Sequence, residues 1–218
     1  FNQEYKVGVL INNYNLSKFE KESIEQLKKS NLNIKLYAIF EVEEKENLLG
    51  LLVRKYKQTN IFRVLEIILF QVLFKIEKLT LSILVPHLKY LDKKYLIEKN
   101  TFDKVIEVKP TFSKYKMFSE YSDNDLNKIL NEKLDIILRG NVSNIYRGKI
   151  LNASKFGIIS FHHGDNSWNI GGPPGFWEVV LRKSSTGFIV QILNENSNKI
   201  SEDENKIKKE TTKKLKDI

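Results

Sequence analysis

Residues 157–178, GIISFHHGDNSWNIGGPPGFWE, gather the groups in this chain best suited to acid–base chemistry. A short apolar run ends in His162 and His163, and Asp165 follows two residues later. An imidazole titrates closest to neutral pH and can give or take a proton, while a neighbouring carboxylate favours its charged form. The run GIISF reads as a core strand, and the turn formers from Gly164 onward take the chain out of the sheet. Titratable groups are thereby delivered to a sheet edge, where α/β folds place their sites. Alternation along the strand sends His162 and His163 to opposite faces, so one of them reaches a given pocket unless the backbone has already turned.

Two other chemistries fit these residues poorly. Adjacent histidines do not easily ligate one ion together, and the remaining imidazole, His87, is distant in sequence, so no metal is expected. The turn at Gly171, Gly172, Pro173, Pro174 and Gly175 lacks the Gly-Lys-Ser/Thr ending of a phosphate loop, and its prolines remove backbone donors such a loop needs. Phe176 and Trp177 open an expected helix, FWEVVLRK, and read as core residues. His163 reads as structural, or as a donor behind His162.

The same stretch resembles the folate-dependent formyltransferases, the family of methionyl-tRNA, glycinamide ribonucleotide and amino-sugar formyltransferases, whose signature is roughly Asn-x-His-Pro-Ser-Leu-Leu-Pro-x-x-x-Gly. His162 falls on the histidine and Gly171 on the closing glycine; Pro174, Trp177 and Thr186-Gly187 then follow without a gap, ahead of FIVQIL. The form HHGDN...GGPPGFWE is similar to a divergent branch of that family. Carried over by position, the family's asparagine, histidine and aspartate become Ser160, His162 and Asn198, and Ile170 stands where many members carry arginine. Ser160 keeps a hydroxyl without the reach of a carboxamide. Asn198 keeps hydrogen bonding without the negative charge that holds an imidazolium, which leaves Asp165 as the nearest carboxylate.

The resemblance implies 10-formyltetrahydrofolate as donor, with the loop after the fourth strand holding the pterin at Leu138, Gly140 and Ile145; that loop, RGNVSNIY, is longer than usual for the family. It also implies a small-molecule amine as acceptor, a nucleotide- or lipid-linked amino sugar among the candidates. Formyl transfer needs a donor for the developing oxyanion and a group that moves the amine proton, and His162 suits either task. The alternative is a catalytically degenerate member that keeps the fold for ligand binding or assembly at a membrane surface.

The elements that position these residues read as a doubly wound, mostly parallel α/β sheet. Residues 5–11 (YKVGVLI), 33–40, 104–108 (KVIEV, stopped by Pro110) and 134–139 (LDIILR) are expected strands, with helices at 17–30 and 124–132 between them. Residues 1–200 then form one formyltransferase-like domain, interrupted by a helical insertion at about 43–100, and 201–218 form a charged tail. Within the insertion Leu65, Ile68, Leu69, Val72, Ile76 and Leu79 repeat at helical spacing, broken by charges too often for a membrane span. Packing on the sheet or on a second subunit, as in a homodimer, is the simpler reading. The sharper one is a helix lying on anionic lipid, preceded by the basic Arg54, Lys55, Lys57 and Arg63.

Composition agrees with one such domain: 218 residues suffice for a real core, and the absence of cysteine excludes disulfides and thiolate chemistry. The net charge of +9 comes from lysine far more than arginine, a bias that points to composition drift rather than nucleic-acid recognition. The opening residues FNQEYKVGVLINN read as a polar lead into a strand with no secretory signal, so the expected location is cytoplasmic, with peripheral contact at the inner membrane face on the lipid reading.

Overall fold

Strand β1, Glu4–Ile11, is buried on both faces from Val7 onward, as a central strand of a parallel sheet must be. A computed structural model of the chain describes residues 3–42, 50, 53, 56, 61–85, 93–112, 118–142, 144–163 and 176–193. After β1 come a two-residue strand β2, Asn15–Leu16, and helix α1, Lys18–Lys29. A capping box starts α1: the Ser17 hydroxyl accepts from the Glu20 N–H at 3.3 Å while Glu20 Oε2 accepts from the Ser17 N–H at 2.7 Å. Glu20 in its first turn and Lys28 and Lys29 in its last complement the helix dipole. Strand β3, Asn33–Glu41, then returns parallel to β1.

Helix α2, Ile61–Leu84, follows, then β4 (Tyr95–Leu96), β5 (Lys104–Val108), β6 (Pro110–Phe112), β7 (Phe118–Tyr121) and helix α3, Asp123–Leu130. The chain continues through β8 (Ile136–Arg139), β9 (Ile145–Tyr146), β10 (Ile158–His163), helix α4 (Phe176–Val180) and β11 (Phe188–Leu193). The described residues hold a central sheet in the order β5-β3-β1-β8-β10-β11, parallel except for the last pair. Numbered along the chain, those strands read 3-2-1-4-5-6, so the order reverses between β1 and β8. Such a reversal opens a crevice at the carboxyl ends of the two strands.

Helices cover both faces. Ile24 of α1 packs with Val9, Ile11, Leu36 and Ala38 on one side, while Leu126 and Ile129 of α3 pack with Leu10, Ile39, Ile106 and Ile137 on the other. Aspartates at the strand starts lock the register: Asp135 and Lys6 exchange hydrogen bonds, as do Asp103 and Leu36, each carboxylate accepting a backbone N–H at 2.7–2.8 Å.

Several expected boundaries shift. Strand β3 runs on to Glu41, β8 begins at Ile136, and Leu134 makes an isolated bridge to Ser154 instead. Strand β5 keeps its expected bounds, Lys104–Val108, ahead of Pro110, which itself opens β6, a first-residue position where a missing N–H costs nothing. Helix α4 is shorter than FWEVVLRK, and Arg182 follows it at a positive φ of 50°. The side chains of Phe176 and Trp177, and the expected tail, lie outside the described residues.

The insertion departs most from expectation. Helix α2 forms where the apolar spacing predicts it, but among its described side chains Val64 alone is buried, and Phe62, Leu65, Leu69, Phe70, Leu79 and Leu84 are exposed. Packing of this helix on the sheet is therefore not what the chain adopts: its apolar residues run round most of the helix, and one sheet surface cannot cover them all. No helix among the described residues is long and apolar enough to cross a membrane. Arg54, Lys55 and Lys57 lie outside those residues.

Candidate functional site

The carboxyl ends of β1 and β8 are spliced together by Asn141. Its Oδ1 accepts from the Asn12 N–H and its Nδ2 donates to the Asn13 carbonyl, both at 3.0 Å. Just before it, the Gly140 N–H donates to the Leu10 carbonyl at 2.9 Å, an approach so close that a Cβ on Gly140 would stand 2.6 Å from that oxygen. Glycine is required here by space rather than by turn geometry.

Alternation then selects which side chains share this edge. Ile39, Ile137 and Ile158 are fully buried in one core layer, so the residues two places further on, Glu41, Arg139 and Ser160, leave their strands on the same face. His162 follows Ser160 on that face, with its Nε2 withdrawn from solvent. A row of apolar side chains thus gives way to Glu41, Arg139, Ser160 and His162 at the carboxyl edge, on three of the four strands that flank the reversal.

A three-stranded sheet, β6-β7-β9, lays two tyrosines over this row. Glu41 is fully buried; its Oε1 accepts from the Tyr146 hydroxyl at 2.6 Å and from the Tyr121 hydroxyl, and the two rings stack with centroids 6.2 Å apart. Burial first, then the charge of Glu41, pushes the Tyr146 phenol well up. Burial likewise raises Tyr121, with Tyr146 and Glu41 adding to it. Arg139 donates from Nε to the Val142 carbonyl at 3.1 Å and from Nη1 to Ser160 Oγ at 3.2 Å. Burial pulls its pKa down, opposed by the charges of Tyr146 and Glu41.

The expected site residues divide accordingly. Ser160 and His162 stand together, and Ser160 is 1% exposed, its hydroxyl held by Arg139 rather than open to a ligand. Gly140 lies at the carboxyl ends of β1 and β8, packed against the Leu10 carbonyl. Leu138 leaves β8 on the opposite face, and its backbone is paired with Val9 on one side and Ile159 on the other, so it is committed to the sheet. Ile145 sits in β9 opposite Phe118, away from Gly140 along the chain. Asp165 and Asn198 lie outside the described residues, as do His87 and the glycine-proline turn. Among the described residues no three His, Asp or Glu side chains converge as a metal cluster would need.

Glu41, Tyr121, Arg139 and Tyr146 escaped the sequence reading. The signal was present for two of them: LYAIFE and DIILR each end an apolar run on a charge at the strand's carboxyl end. The tyrosines carry no comparable local signal, since Tyr121 and Tyr146 reach the sheet only through the small sheet folded over it. The sequence matches no protein-family model, and no curated protein matches it significantly.

Proposed function

We propose that this protein is a formyltransferase-like enzyme that moves a formyl group from 10-formyltetrahydrofolate to an amine acceptor, with an amino sugar the acceptor class the resemblance implies. The observation that supports it is the position of His162: it follows Ser160 on one face of β10, at the carboxyl edge of the sheet, one strand from the reversal of strand order. In this reading the acceptor nitrogen attacks the formyl carbon, the carbonyl oxygen takes up negative charge and His162 removes the amine proton; the intermediate then collapses with cleavage of the bond between the formyl carbon and N10 of the folate, which leaves with that proton. Ser160 contributes by holding Arg139, because its buried hydroxyl is engaged there.

A folate should therefore bind the folded state alone and stabilise it by mass action. At about 100-fold over its dissociation constant the expected gain is ~2.7 kcal/mol, read as a raised melting temperature with 10-formyltetrahydrofolate or a stable analogue. Melting curves unchanged across folates would remove the donor, and with it this reading.

A second reading has its own observation, the exposed apolar side chains of α2. On it the domain acts at a membrane surface, with α2 lying in the lipid interface, whether or not transfer chemistry is retained. Co-sedimentation with anionic vesicles should then occur and should fall when Leu69 and Ile76 are both replaced by glutamate. Equal recovery of native and doubly substituted protein with vesicles, or none of either, rejects that placement.

A further inference from the structure

We infer that Arg139 is the receptor for an oxyanion group, a carboxylate or phosphate carried by a small-molecule ligand that enters the crevice between β1 and β8. Three features of the arrangement carry this. The guanidinium is fixed by two neutral acceptors, the Val142 carbonyl and Ser160 Oγ, and its remaining N–H groups have no partner among the described residues. It forms no ion pair there either: Glu41 acts on it through space, but the Oε1 of Glu41 is taken by the Tyr121 and Tyr146 hydroxyls. Finally, Arg139 ends β8 at the point where strand order reverses.

A partly buried cation held by neutral groups carries a desolvation cost, which Glu41 offsets here only through space. The planar fork of a guanidinium matches two oxygens of a carboxylate or phosphate at once. Here the fork is positioned and its unused donors belong to a residue at a strand end, where ligands of α/β sheets bind. Glu41, the carboxylate that acts on Arg139 through space, is already shared by two phenols. Recognition of an anion does not depend on formyl transfer and goes beyond it.

The test uses the full chain, with inorganic phosphate and acetate as separate probes at millimolar concentration and low ionic strength, followed by calorimetric titration and by melting. At least one anion should bind and raise the melting temperature. Arg139→Met, which keeps the packing volume without charge, should bind at least tenfold more weakly, and Arg139→Lys should also weaken binding because the fork is lost. Arg147→Gln serves as the control: Arg147 directly follows β9 and is paired with Glu120 of β7, and its replacement should leave binding unchanged. Two results overturn the inference: native protein that binds neither anion, or a folded Arg139→Met or Arg139→Lys variant that binds as tightly as native. If phosphate binds through Arg139 while folates do not stabilise the protein, formyl transfer fails and the anion site stands.

Discussion

Replacing Glu41 by leucine is expected to destabilise the fold by roughly 2–6 kcal/mol, because two buried hydroxyls lose their acceptor. The carboxylate is fully buried and its Oε1 is the acceptor for both the Tyr146 and Tyr121 hydroxyls, so its loss leaves two phenols without that acceptor beneath the small sheet. Each buried hydroxyl stranded in this way costs roughly 1–3 kcal/mol. Urea unfolding at neutral pH reads the difference. Adding Tyr121→Phe and Tyr146→Phe to the leucine variant should recover part of the loss, because removing all partners costs less than removing one. A single-variant cost under about 1 kcal/mol would mean that the network contributes little.

The same network sets an alkaline limit. Tyr121 and Tyr146 have folded-state pKa values above their ordinary value of 10.0, raised first by burial and next by the charges beside them. A raised acid is protonated in the folded state while the unfolded chain ionises, so this stability is fully present below about pH 10 and is lost as pH rises beyond it. With both phenols involved, the slope is about 2.7 kcal/mol per pH unit. Phenolate absorbance from these two residues should therefore appear only as the protein unfolds.

Local pattern carried the scaffold into view, and long-range pairing kept the site partly hidden. The central strands and both flanking helices follow from apolar runs, capping residues and charge order, all properties of neighbours in sequence: Ser17 with Glu20, or KVIEV as a strand. The reversal of strand order does not, because nothing within β1 or β8 says that they lie side by side. His162 and Ser160 were legible through their place at the end of an apolar run. Arg139 and Glu41 stand at equivalent strand ends, yet each reads as an ordinary boundary charge until pairing sets them on one face with Ser160. Helix α2 shows the opposite limit: periodicity gives the helix, but not what its apolar side chains meet.

On the proposed reading, His162→Ala should lower formyl transfer by roughly 100-fold to 10,000-fold, the range for removing a general acid or base. The loss should fall on kcat more than on KM, since a proton is moved in the transition state and not in binding. Folding should change little, because His162 lies past the fully buried part of β10, which ends at Ser160. Ser160→Ala provides the contrast. Its hydroxyl accepts from Arg139 at 3.2 Å and is 1% exposed, so its removal loosens the guanidinium without taking away a group that meets the substrate. A hydrogen bond to a charged group contributes about 1.5–3 kcal/mol, and only the part that mispositions Arg139 would appear in the rate, so the expected drop is well below that of His162→Ala. Folded His162→Ala protein that transfers formyl groups within a few-fold of native would remove the imidazole from the chemistry. Equal losses in the two variants would instead make Arg139, held by Ser160, the group on which transfer depends.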